Sequence, residues 1–341
     1  MPSLLQNLWF LLVAVLFIGF FFLEGFDFGV GMSLKTVAKN EEEQDALISS
    51  IGPHWDGNEV WLIAGGGAMF AAIPYWYASL FSGFYLILFI ILLGLIFRGV
   101  SFEFREQMYT SKYRELWATI ASITSFIVPF FFGLMFADVV QGMPIDAAGD
   151  LSAGFFDYVN IFSVVAGVAL ALLSYMHGLN YTRLKLAESP LVERAKQQLK
   201  VLYPVLLLGE VAFAVSLYFF TDFFTTKPMI TLILLVVIVG LTLLAWFTNV
   251  KDHQGWTFMA LGLVIATVVA LLLIGLYPRV MVADNPANSI LLKNATSTPY
   301  TLKWMTIIAL TVVPIVVCYQ AWSFWVFRKR IQVGGDEKYG N

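Results

Sequence analysis

Apolar residues in this chain run on for about 20 positions at a time, with neither the alternation of a half-buried strand nor the 3.6-residue stripe of a soluble amphipathic helix. Nine such runs are read, at about 7–33, 57–74, 79–98, 116–137, 156–180, 202–220, 229–247, 256–277 and 304–327. In lipid every backbone polar group must be satisfied within its own segment, so aperiodic apolar stretches of this length predict transmembrane α-helices. The connections are short and punctuated by Pro and Gly, with no low-complexity tract, no long linker and no internal repeat visible by inspection. The pattern predicts a single all-α integral-membrane domain over residues 1–341. The first run follows MPSLLQNLWF, which lacks a charged n-region and a nearby small-residue cleavage site, and is read as a retained span.

Composition agrees with a polytopic membrane protein. Of the 341 residues 59% are hydrophobic and 13% charged, and mean hydropathy is +0.79. A soluble domain carries roughly 25% charged residues. The one cysteine, Cys318, lies in the last apolar run, so an internal disulfide and a thiolate metal site are excluded.

Charge placement orients the chain. The loops 34–55, 98–115, 181–201 and 248–255 and the tail from 328 hold sixteen of the 20 Lys and Arg residues, Lys338 among them. The opposite loops hold only Lys227, Arg279, Lys293 and Lys303. Positive residues stay on the cytoplasmic side, which predicts an outer N-terminus and an inner C-terminus. That arrangement requires an odd number of spans, and nine satisfies it.

Ionisable groups inside spans are expensive and are functional candidates by default. The first run ends FFLEGFDFGVGM, with Glu24 and Asp27 on one helix face. Counted from Lys35 they lie roughly 16 and 12 Å inside the cytoplasmic boundary at 1.5 Å per residue. Gly25, Gly29 and Gly31 bare this helix for close packing. The second run opens GPHWDGNEVWLIAGGGAMF, so Asp56 and Glu59 fall at a helix N-terminus. There the helix dipole and free N–H groups favour carboxylates, and a cap with a first-turn acid is one complete reading of them. Trp55 and Gly65, Gly66 and Gly67 are read as packing positions, the glycines against a neighbouring helix. The third run ends LGLIFRGVSFEFRE, adding Arg98, Glu103 and Arg105. Five acids thus face two arginines, read as structural ion partners, at one end of the bundle. A structural ion-pair set would balance; the excess reads as a path for protons or cations from the cytoplasm.

Glu210 is a further in-span acid, a packing partner or a separate relay. Asn160 and His177 flank the fifth run. Asp138, Asp146, Asp150 and Asp157 read as a solvated outer loop. The three histidines, His54, His177 and His253, are all expected at or near the cytoplasmic surface, with no H-x-x-x-H pair. A multi-heme centre with histidine ligands is excluded, although a single ligated heme is not. No phosphate-binding loop, dinucleotide fingerprint or nucleophile elbow is present, so redox or hydrolytic chemistry would belong to a partner chain.

At GFDFGVG, GPHWDGNEVWLIAGGGAMFAAIP and RGVSFEFR the chain resembles subunit II of cytochrome bd-type quinol oxidases. The first hundred residues carry most of the likeness; beyond Arg105 it rests on the span pattern. The resemblance implies a bacterial cell-membrane protein in an obligate heterodimer with subunit I, with small accessory membrane subunits as further candidate partners. Hemes b and d, the quinol site and oxygen reduction would belong to subunit I; this chain would ligate no heme and is not expected to be catalytic alone. The resemblance also implies a role for the inner-side acids in supplying protons to the oxygen-reducing heme. It carries over to Asp27, Asp56, Arg98 and Glu103 directly, while Glu24 stands where the family has an acid, often Asp. The rival class is a proton- or cation-coupled secondary transporter, which would also place acids in a glycine-broken helix near the inner face. A structural scaffold would share the packing but make the acids dispensable.

Overall fold

The computed structural model describes residues 1–335; Lys338, counted above among the inner-side cations, lies outside the described residues. Helix α1 (Leu4–Thr36) is followed by the short α2 (Glu41–Ile51), then by α3 (Trp55–Ala72), α4 (Pro74–Gly83) and α5 (Tyr85–Gln107). Next come the long helices α6 (Ser111–Gln141), α7 (Ile161–Lys185) and α8 (Pro190–Phe220). A single turn, α9 (Phe223–Thr226), leads to α10 (Pro228–Val250) and α11 (Gln254–Leu276). Two antiparallel strands, β1 (Arg279–Met281) and β2 (Ile290–Leu291), and the turn α12 (Leu292–Ala295) precede α13 (Pro299–Val326).

Eight of these helices are long and apolar enough to cross a membrane: α1, α5, α6, α7, α8, α10, α11 and α13. The remaining predicted run corresponds to α3, which has 18 residues and opens on the polar turn DGNE. The third run departs from expectation. It is predicted to begin at 79, but Pro74 ends α3 and starts α4, and the chain breaks again at Phe84 before α5. Proline fits the first turn of a helix, where its missing N–H is no loss, and cannot continue the one before it. A second departure is α2, in the segment 34–55 read as a loop. Asn40 caps it by accepting from Glu43 N at 2.9 Å, three glutamates sit in its first turn, and Leu47 and Ile51 are buried beneath it.

Helix α1 is the hub, packed against α3, α6, α7 and α11. Glycine permits the closest crossings. A Cβ at Gly29 would come within 2.6 Å of the Gly178 Cα on α7, and one at Gly133 on α6 within 2.8 Å of the Gly167 Cα. Without a hydrophobic driving force between helices in lipid, such backbone approach is a main source of association. The other side of α1 is more open. Helix α13 lays few residues on the bundle, with only Leu302 fully buried. Polar ties hold it along its length and past its end. Trp9 Nε1 donates to Leu302 O and Thr306 Oγ1 at 3.2 and 3.0 Å. Gln320 bonds to α3, and Lys185 Nζ donates to the carbonyls of Phe327 and Lys329 past its end.

Candidate functional site

The seam between the packed and open sides, where α1, α3 and α5 meet, holds the buried charges. Arg98 on α5 is fully buried. Its Nη2 forms an ion pair with Glu24 on α1 and bonds to Glu59 Oε1 on α3 at 2.6 Å. Two aromatic faces flank the guanidinium, Phe28 with its centroid at 4.6 Å and Phe102 at 5.8 Å, which favours a desolvated cation. One helical turn from Glu24, Asp27 accepts from Asn58 Nδ2 at 2.7 Å through Oδ2; its Oδ1 is buried without a hydrogen-bond partner. Asn58 passes the connection on, accepting from Gln320 Nε2 at 3.1 Å, and Gln320 Oε1 accepts from Trp61 Nε1 at 2.7 Å.

Glu59 is the member that reaches outward. Its side chain is 24% exposed, against 0% for Glu24 and Arg98. It lines a recess between α3 and α5 with Trp55, Gly99 and Glu103. Trp55 lies against bare Gly99, 3.2 Å from where a Cβ would stand, and edge-on to Phe102. Three acids and one guanidinium in an apolar setting cannot all be charge-balanced by pairing. Proton exchange is the chemistry open to such a set.

Several expected site residues stand apart from it. Asp56 is exposed, and its one hydrogen bond is from Gly57 N at 2.7 Å. It shares a helix face with exposed Val60 and Ile63, and among the described residues no hydrogen bond joins it to Glu24 or Asp27. Glu103 is exposed. Arg105 is buried but belongs to a different group: it pairs with Asp45 and bonds to Gln44 Oε1 at 2.8 Å, while Arg114 also grips Asp45 at 2.6 Å. These bonds latch α2 onto α5 and α6, and with Asp56 and Glu103 also apart the buried set is three acids on one arginine, where the sequence count is five on two. The glycine expectation is corrected in part. Gly65 faces Leu16 and Phe17 of α1, but Gly66 and Gly67 meet nothing within 4 Å, because they lie on the uncovered face of α3. Gly25 makes only ordinary contacts, whereas Gly29 and Gly31 are the tight positions.

The histidine expectation is corrected for His177, which lies inside α7. His177 is fully buried, with a ring nitrogen 3.1 Å from Phe22 O and the ring stacked at 4.4 Å on Phe258. Helix α7 runs five residues past its predicted end, which draws His177 inward. His54 is buried and stacks at 4.1 Å on Phe324 of α13. Burial, with the Lys185 cation adding to it, pushes the His54 imidazole down from 6.5 to about 4. Elsewhere, Asp138 is not solvated but fully buried in the last turn of α6, its Oδ1 accepting from Asn160 Nδ2 at 2.8 Å and Oδ2 unbonded. Glu210 accepts from Thr242 Oγ1 at 2.5 Å, tying α8 to α10. Asn58, Trp61 and Gln320 were missed as members. Their signal is an amide or indole N–H inside an apolar run, where lipid offers it no partner.

Residues 5–327 match the family described as cytochrome bd terminal oxidase subunit II. The chain is 44% identical over 328 residues to the cytochrome bd ubiquinol oxidase subunit 2 of Bacillus subtilis (strain 168), covering 96% of this chain and 97% of the relative. It is 33% identical over 363 residues to the cytochrome bd-I ubiquinol oxidase subunit 2 of Escherichia coli (strain K12), covering 96% of both. A chain from the structure of the bd oxidase of Geobacillus thermodenitrificans superposes with a TM-score of 0.75 at 15% identity, over 96% of this chain and 100% of that one, a likeness of fold.

Proposed function

The chain belongs to the cytochrome bd terminal oxidase subunit II family, and from that premise we propose how it serves a quinol:oxygen oxidoreductase in the bacterial cell membrane. It pairs with a heme-bearing subunit I, at which quinol and oxygen react, and ligates no heme itself. Helix α3 counts as a ninth crossing, which places the N-terminus outside and the basic loops in the cytoplasm. Its 18 residues span about 27 Å at 1.5 Å per residue, close to the roughly 30 Å of a bilayer core.

Within that complex the chain supplies protons from the cytoplasmic side. Glu59 takes them up from the recess it shares with Glu103. The Arg98 guanidinium, held between Glu24 and Glu59, lowers the cost of charge as a proton passes between them. Asp27, one turn nearer the cytoplasmic end of α1 than Glu24, is a further acceptor on the same helix face. Asp56 collects protons on the face of α3 turned toward the partner. The observation that carries this reading is the shared guanidinium: one fully buried Arg98 contacts a partly exposed acid and a fully buried one. Family membership leaves the transporter reading with no observation in its favour. The test is quinol-driven oxygen consumption by the purified complex carrying Glu59→Gln or Glu24→Gln. Normal heme content with a marked loss of turnover is expected; full turnover in both would remove the cluster from any obligatory path.

A further inference from the structure

The bonds from Trp61 to Asp27 have a direction, and the chemistry of their first member fixes it. An indole N–H donates and cannot accept. Trp61 Nε1, 2.7 Å from Gln320, therefore requires the amide oxygen of Gln320 on its side. That turns the Gln320 NH2 toward Asn58, where it donates to Oδ1 at 3.1 Å. The Asn58 amide is oriented in turn, and its NH2 faces Oδ2 of Asp27 at 2.7 Å. The indole is itself held in place: a Cβ at Gly19 of α1 would overlap its ring carbons. Asn58 is fully buried, so water does not compete for its amide.

Resting on the reading of this cluster as a proton path, we propose that Trp61, Gln320 and Asn58 form a one-directional hydrogen-bond chain that distinguishes the two oxygens of Asp27. Oδ2 is anchored as an acceptor. Oδ1, buried and without a hydrogen bond, is the oxygen that receives and releases the proton. Gln320 is thereby a positioning residue for proton transfer, contributed by a helix otherwise lightly attached to the bundle. Without the indole donor, both amides can rotate, the Asn58 oxygen can turn toward the carboxyl group, and a proton can settle on either oxygen. Glu24, Glu59 and Arg98 from the seam and the Tyr181 ring of α7 are the charged and titratable groups that face Asp27.

The experiment is a double-mutant cycle on oxygen consumption by the assembled, heme-loaded complex, with Gln320→Leu, Asp27→Asn and the two combined. Each neutral hydrogen bond contributes about 0.5–1.5 kcal/mol, so Gln320→Leu is expected to slow turnover roughly two- to tenfold. In the Asp27→Asn background it should cause no further loss, because its effect passes through that carboxyl group. A purely structural role for Gln320 gives additive losses, and that result overturns the proposal. So does full turnover in Gln320→Leu while Asp27→Asn is impaired. Full turnover in Asp27→Asn instead overturns the proton-path reading, and this inference with it. Should Gln320→Leu fail to assemble, Trp61→Phe removes only the N–H donor while keeping an aromatic ring, and the same cycle with Asp27→Asn decides.

Discussion

Two buried acid sites lie toward opposite ends of the bundle, and they are built differently. At the end of the bundle proposed above as the inner one, Glu24 and Glu59 share Arg98, Asp27 ends an amide chain, and Glu59 is partly exposed. Toward the outer end, Asp138 has one amide partner, Asn160, and no guanidinium or ammonium group within bonding distance among the described residues. Both acids bear an orphaned oxygen. Burial alone therefore does not separate a relay from a packing detail. What separates them is a second acid within reach of the same cation and a member that meets the aqueous side. The inner site lies on the loosely covered seam of α3, α5 and α13, the outer one where α6 and α7 pack through glycine. A site that must exchange protons and join a second subunit belongs on the seam.

The largest effect expected is from Arg98→Leu. It leaves Glu24 and Glu59 facing each other without their cation, at a cost of about 3–5 kcal/mol. Complex yield and melting temperature should both fall sharply. Unchanged melting with normal yield would show that the acids do not depend on Arg98, and would erase the main difference between the two sites.

Asp56→Asn comes next, acting on turnover rather than stability. Asp56 is exposed and, among the described residues, hydrogen-bonded only to Gly57 N, so losing its charge leaves the fold intact. Asp56 lies in the first turn of α3 and does not cap it; asparagine can keep the bond from Gly57 N through its amide oxygen but cannot release a proton. Assembly and heme spectra should be normal and oxygen consumption down roughly tenfold or more, equivalent to about 1.4 kcal/mol or more at the transition state. Full steady-state consumption would leave Asp56 a helix-terminal acid and confine the path to Glu59.

The nine apolar runs were legible as helices because lipid forces helix on any long apolar segment. The acids of the inner site were legible too, since GFDFGVG and HWDGNE advertise charge inside such segments. Their wiring was not. Arg105 counts in sequence as a partner for the bundle acids, yet it turns to Asp45 on α2, a helix hidden in a polar stretch with too few apolar positions to show a period. Gly66 and Gly67 look like packing glycines but lie on the open side of α3, because a three-glycine run covers most of a helix circumference and composition cannot say which face is covered. Gln320 is one amide in an apolar run 262 residues from Asn58, and only the fold brings them together.

His54 sharpens the comparison from another direction, as a buried titratable group at the inner end with no charge partner in bonding distance. Its imidazole titrates near 4 in the fold against 6.5 ordinarily, so the unfolded chain binds the extra proton first. The neutral ring costs nothing above pH 6.5; stability is then lost as pH falls toward 4 and levels off below it. At pH 5 the loss is on the order of 1–2 kcal/mol. Melting of the complex at pH 7.5 and 5 should show it, and His54→Phe, which keeps the stack on Phe324, should narrow the gap. An equal gap in the variant means that other groups carry the acid sensitivity.

The smallest effect is expected at Asp138, and its smallness is informative. Asparagine there can still accept from Asn160 through its amide oxygen, at the 2.8 Å distance Asp138 now uses. Its NH2 would stand where Oδ2 has no partner, exchanging one orphaned group for another of similar size. Removing a carboxyl group that no cation balances lifts a desolvation cost, while burying an unbonded amide adds one. These opposing terms leave Asp138→Asn within about 1 kcal/mol of the parent in stability. Turnover should be unchanged, because Asp138 lies on α6, apart from Arg98 and from the face of α3 that carries Asp56. A loss of oxygen consumption comparable to that of Asp56→Asn would mean that a solitary buried acid also serves the reaction. The contrast between a shared guanidinium and a lone amide would then no longer mark where protons travel.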